Sequence, residues 1–141
     1  MSTNLHDFDF LRGAWRVHHR KLRRRLAGSN DWMEFAGTLV SKPILGGAGN
    51  FDDNVISEPA GEYRALALRR YSEREQRWSI WWVDARVMRL EPPVHGRFER
   101  GVGTFFGEDA YEGRPILVRF IWSGVTARAA RWEQALSLDR G

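Results

Sequence analysis

Four histidines, at positions 6, 18, 19 and 95, are the only side chains in this sequence that titrate near neutral pH without help from their surroundings. His18 and His19 are neighbours in the alternating segment Trp15-Arg16-Val17-His18-His19-Arg20. On a strand they point to opposite faces and cannot chelate one metal together. His19 shares the face of Trp15 and Val17, which should look inward. There it can be a general base, a haem ligand or a hydrogen-bonded wall residue. The sequence has no cysteine and no serine in a G-x-S-x-G elbow, so covalent catalysis has no visible nucleophile. Glycines 46, 47 and 49 lack the Lys-Ser/Thr of a phosphate loop. Asp52-Asp53 and Asp7-x-Asp9 read as turn residues. No metal and no cofactor is expected.

The remaining chemistry belongs to a cavity. Tyr71, Arg69, Trp78, Trp82 and Asp84 fall on one face of a hairpin and mix large aromatics with one cation and one anion, which suits a partly polar ligand. If that face points inward with Trp15 and His19, Arg69 can meet a carboxylate or phenolate and the tryptophans can stack on a flat body. The opposite orientation would turn Leu66, Leu68, Trp81 and Val83 inward, and a one-residue slip decides between the two.

The elements that must place these residues are strands. Asp7 can cap a single helical turn holding Phe8, Phe10 and Leu11, with residues 1–6 frayed before it. The first strand runs from Gly13 toward Leu26, and its basic end Arg20-Lys21-Leu22-Arg23-Arg24-Arg25 reads as a solvated strand end rather than a nucleic-acid site. It leaves the sheet through the loop Ala27-Gly28-Ser29-Asn30-Asp31. Trp32 to Val40 follows, stopped by Lys42-Pro43. A glycine corner at 46–50 leads to Phe51–Ser57. The hairpin of Tyr63–Ser72 with Arg77–Ala85 pairs Tyr71 with Trp78, Arg69 with Ile80 and Ala67 with Trp82. Gly96–Arg100 and Gly103–Gly107 are short strands around a bend. Ile116–Ser123 and Ala129–Leu138 form the last hairpin. Folded about Thr126, it sets Phe120 opposite Trp132 and an outward Arg119 opposite Glu133, with Ile116, Val118, Phe120 and Trp122 inward. About nine strands with almost no helix form an all-β antiparallel meander that closes into an up-and-down barrel.

At 141 residues the chain is one domain, large enough to bury roughly two-thirds of its unfolded surface. The aromatic load of seven Trp, eight Phe and three Tyr favours sheet. The formal charge of +4 tilts the surface toward anions without marking a partner. The absence of cysteine, of a signal-like start and of any long apolar run places the protein in the cytoplasm.

Gly13-Ala14-Trp15, opening a long strand after a short turn, resembles the G-x-W motif of the lipocalin and calycin barrels. Together with FDFLRGAW, LRRYSEREQRWSIWWVD, GRPILVRFIWS and ARWEQALSLD, it is similar to the uncharacterised DUF1579 family of lipocalin-like proteins over nearly the whole chain. The resemblance implies an antiparallel barrel with a central cavity and no assigned catalytic residues. In that family a Trp-rich strand follows the segment matched by Ser137-Leu138-Asp139-Arg140-Gly141, so a barrel open at one seam, or closed by another subunit, is implied. In lipocalins an arginine stacks over the motif tryptophan, and Arg140 is the candidate.

The leading expectation is therefore a non-enzymatic barrel binding a small hydrophobic or aromatic, acidic ligand through Trp15, His19, Arg69, Tyr71, Trp78, Trp82 and Asp84. No nucleic acid or membrane partner is expected, and a homodimer would cover the two-sided apolar stretch Trp78–Val83. The alternatives are a cofactor-free isomerase, cyclase or hydratase using His19, Arg69 and Asp84 on a phenolic or polyketide-like substrate, and a haem or nitric-oxide barrel like that of nitrobindin using His19 or His95.

Overall fold

A computed structural model describes residues 3–22, 31–87 and 90–138. Nine strands follow one another: β1 (Gly13–Leu22), β2 (Trp32–Ile44), β3 (Gly49–Glu58), β4 (Gly61–Ser72), β5 (Arg77–Asp84), β6 (Val94–Glu99), β7 (Val102–Tyr111), β8 (Arg114–Ser123) and β9 (Arg131–Ser137). Each pairs antiparallel with the next, in sequence order, in a single sheet. Among the described residues helix is confined to 3-10 turns at Asp9–Leu11 and Leu45–Gly47. The sheet curls into a half-barrel of lipocalin-like, up-and-down topology. Among the described residues β1 and β9 are its two edges and are not paired with each other. Among the described residues no helix is long and apolar enough to cross a membrane.

Alternation decides which side chains enter the concave face. In β4, Ala65, Ala67, Arg69 and Tyr71 are buried, and in β8 so are Ile116, Val118, Phe120 and Trp122. The expected register of the β4–β5 hairpin holds: Tyr71 opposes Trp78, Arg69 opposes Ile80 and Ala67 opposes Trp82. Its four-residue turn is tied by the Ser72 hydroxyl, which accepts the Glu75 N–H at 3.2 Å. The core gathers Phe8, Leu11, Tyr71, Trp78, Phe98, Phe105 and Trp122 toward one end of the half-barrel.

Several local expectations are corrected. Pro43 does not stop β2, which continues to Ile44 with Pro43 opposite Asn50. β1 begins opposite Ser41, so residues 42–44 have a neighbour on one side only, where a missing donor costs little. Asp52 and Asp53 are not turn residues: both lie in β3, Asp52 facing inward and Asp53 outward, 3.8 Å from Arg64. Asp7 does not cap the 3-10 turn, whose N-cap, Phe8, has no side-chain hydrogen bond. Its carboxylate instead accepts the Asn4 N–H at 2.8 Å and the Trp78 indole N–H at 3.3 Å. Residues 3–6 are docked rather than frayed, since the buried Thr3 hydroxyl accepts the Phe98 N–H at 3.2 Å.

The β8–β9 register differs by two residues from expectation. Trp122 opposes Trp132, Phe120 opposes Gln134 and Arg119 opposes Ala135. Thr126 folds the connecting loop on itself by donating its N–H to the Ala129 carbonyl at 2.8 Å, which moves the centre of the hairpin. A two-residue shift keeps the face, so Phe120 and Trp132 still meet edge-on at 5.1 Å. Glu133 pairs with Arg131 rather than Arg119. Arg23, Arg24, Arg25, the loop segment 27–30 and Arg140 lie outside the described residues.

Candidate functional site

The concave face has two unlike ends. At one, the N-terminal turn folds in as a plug. The Phe8 ring, 1% exposed, sits 5.0 Å from Trp78, 5.0 Å from Phe98 and 5.8 Å from Trp122 in edge-to-face contacts. Burying Phe8 and Leu11 contributes about 1.5–3 kcal/mol each. Three of the expected site residues belong to this packed end. Trp78 is 1% exposed. The Tyr71 hydroxyl donates to the Thr3 carbonyl at 3.3 Å. Arg69, 2% exposed, donates to both carboxylate oxygens of Asp52 at 2.8 and 2.5 Å and to the Asn50 side-chain oxygen at 3.0 Å. Its guanidinium lies 4.7 Å from the Phe8 ring centre and 5.5 Å from that of Trp122. The charge that could have met a ligand carboxylate is thus engaged by a carboxylate of β3.

The other end holds His19, Trp82 and Asp84, while Trp15, near the start of β1, packs against the plugged core. Trp15 is half-buried and donates its indole N–H to the Leu11 carbonyl at 2.6 Å, so it anchors the plug to β1. His19 is stacked on Phe35, its cross-strand partner, at 4.9 Å. Its Nε2 is buried over Gly37 with no hydrogen-bond partner among the described residues. A Cβ built on Gly37 would stand 2.9 Å from that nitrogen and 2.8 Å from the Val55 carbonyl oxygen, so glycine makes the room the imidazole occupies. Burial pushes the His19 pKa down, opposed by the negative charge of Glu58. His18 faces outward and meets Glu34 at 2.9 Å.

A polar set lies at this end beside His19, with Asp84 on the same inward face of β5 as Trp82. Lys21 reaches Glu58 at 3.4 Å. Tyr63 is pushed up to about 12 by burial, together with its hydrogen bond to Glu58. Asp84 accepts from Arg86 through the backbone N–H, Nε and Nη2 at 2.9, 3.0 and 2.7 Å, and this hydrogen bonding holds its carboxyl below the usual range. The Arg86 guanidinium stacks on the Tyr63 ring at 3.4 Å. At neutral pH the set therefore offers a neutral phenol and two half-exposed cations, each opposite an acid, above the half-buried aromatics Phe35 and Trp82.

Lys21, Phe35, Glu58, Tyr63 and Arg86 were missed by the sequence reading. Tyr63 has the same parity as Arg69, and Lys21 the same as His19, so alternation could have found both. Arg86 lies beyond the end of β5, where no periodicity operates. Of the seven expected residues, Arg69, Tyr71 and Trp78 are packed under the plug, Trp15 packs against it, and His19, Trp82 and Asp84 stand toward the other end. No family model matches the chain, and no curated protein matches it.

Proposed function

We propose that this chain is a lipocalin-like binding protein, of the kind its likeness to the DUF1579 family implies, taking a small hydrophobic or aromatic ligand with an acidic group. The site is the unplugged end of the concave face. One observation carries this reading: the turn at Asp9–Leu11 fills one end of the half-barrel, while Phe35, His19 and Trp82 remain half-buried at the other beside Lys21 and Arg86. Flat apolar surface next to a cation is what an aromatic or fatty carboxylate requires. The ligand's acid would meet Lys21 or Arg86 in place of the sequence-derived Arg69.

Binding is favoured over turnover by the state of His19. A general base must reach the proton it takes, whereas His19 Nε2 is sealed against Gly37. A haem ligand needs open space at the same nitrogen. His95, the other candidate, stands on the convex side, with Nδ1 2.7 Å from the Ser79 hydroxyl. Titration with a panel of aromatic carboxylates and fatty acids, read by tryptophan quenching, should saturate below millimolar concentration. Arg86→Gln should weaken the carboxylates selectively over their amides. No saturable binding by any member of the panel would refute the proposal.

A further inference from the structure

We propose that the convex face of β4 to β8 is a docking surface for single-stranded nucleic acid. The strand registers align one outward row straight across the sheet: Arg70 opposes Ser79, Ser79 opposes His95, His95 opposes Phe106 and Phe106 opposes Arg119. Four strand spacings of about 4.8 Å separate its ends, so Arg70 and Arg119 stand about 19 Å apart. The next row carries Arg77 opposite Ser72 and Arg97 opposite Thr104. Because Trp78 opposes Gly96, Arg77 and Arg97 face each other across β5 and β6.

Like charges opposite one another on adjacent strands are destabilising, and an anion between them removes that cost. Arg77 has Glu75 beside it at 2.5 Å. Among the described residues Arg70, Arg97 and Arg119 have no carboxylate partner. Two acids border the rows: Glu99, two residues beyond Arg97 on the same face of β6, and Glu108, opposite Leu117.

Two apolar platforms interrupt the cations. Phe106, 47% exposed, sits in the row beside Arg119. At the far end Arg70 forms the rim of a depression of about 210 Å³ walled by Leu45, Leu68, Trp81 and Leu90. A flat ring can lie against Trp81 there with an anion on Arg70. Cations spaced along a path with ring-accepting surfaces between them match a chain of phosphates and unstacked bases. A duplex keeps its bases inside and an acidic peptide has charges without rings, while a lipid surface is left to the vesicle arm of the test. Arg20, with which the basic run begins, lies on β1, outside the strands of this surface.

The test is fluorescence anisotropy of a labelled single-stranded oligothymidylate against the full chain over a range of salt. Binding should fall with salt. Arg97→Glu with Arg119→Glu should weaken it at least tenfold and reduce the slope of log K against log salt by about 1.4, two contacts of about 0.7 each. Phe106→Ala should weaken it roughly fivefold to a hundredfold with the slope unchanged, as loss of one stacked base would. These exposed substitutions leave the core untouched, and near-ultraviolet circular dichroism checks the fold. The proposal is overturned if no binding occurs at low salt, or if the double variant binds as the parent while Arg23→Glu/Arg24→Glu/Arg25→Glu does not. It is equally overturned if polyglutamate or anionic phospholipid vesicles bind as tightly and Phe106→Ala changes nothing.

Discussion

Removing the guanidinium of Arg69 should be among the most destabilising single changes in this protein, and removing Asp52 with it should restore much of the loss. Both side chains are 2% exposed, joined by two hydrogen bonds at 2.8 and 2.5 Å, with Asn50 accepting a third at 3.0 Å. Arg69→Leu strands a carboxylate in the core and removes the cation lying against Phe8 and Trp122. A buried charge left without its partner costs about 3–5 kcal/mol, a third or more of the 5–15 kcal/mol that holds a domain folded. Asp52→Leu alone should cost a similar amount, because it strands the cation. In Arg69→Leu/Asp52→Leu no charge is left unpaired, and apolar replacements of a buried pair are often neutral or better. The double variant should therefore lose no more than either single one, a coupling of about 3 kcal/mol or larger. Urea unfolding of the four proteins, followed by tryptophan fluorescence, gives the cycle directly. Two single losses that simply add, or an Arg69→Leu variant destabilised by less than about 1 kcal/mol, would refute the reasoning.

Burial holds both His19 and His95 below the ordinary histidine value of 6.5. The unfolded chain therefore binds protons first as pH falls, and stability should decline from pH 6.5 downward toward the lowered folded values. Asp84, lowered by Arg86, holds its contribution until pH drops below 3.8, so the two windows separate. Urea midpoints between about pH 7.5 and 5.5 should fall, and less so in His19→Gln. Tyr63, at about 12, should be missing from the phenolate absorbance that rises near pH 10, and Glu58→Gln should bring it toward the ordinary value. Stability it contributes is present below pH 10 and lost as pH climbs toward 12. Gly37→Ala should cost about 1–3 kcal/mol by chemical unfolding, because its methyl group meets the Val55 carbonyl and the His19 ring. Adding His19→Ala should recover part of that loss.

Much of the architecture is legible locally. Alternation in Trp15-Val17-His19 and in Ile116-Val118-Phe120-Trp122 assigns the inward face correctly, since a pleated strand offers only two sides. The β4–β5 register follows from a short turn that leaves one way to fold back. The β8–β9 register does not, because the longer loop bends on its own Thr126 hydrogen bonds, which no period encodes. The site was half legible for the same reason: sharing a face was visible, sharing an end of the barrel was not.

The sequence by itself determined a nine-stranded antiparallel meander and the inward faces of β1 and β8, whereas the face of the β4–β5 hairpin that turns inward, and with it the burial of Arg69, was left open because both of its faces are apolar. Only the tertiary structure decided that Phe8 and Leu11 enter one end of the concave face, that Asp52 crosses from β3 to meet Arg69, and that the arginines of β4, β6 and β8 fall on two adjacent rows outside. Those arrangements depend on the sheet curling and on registers between strands distant in the chain, where the free energy of burial and charge pairing, rather than any local preference, selects the partner.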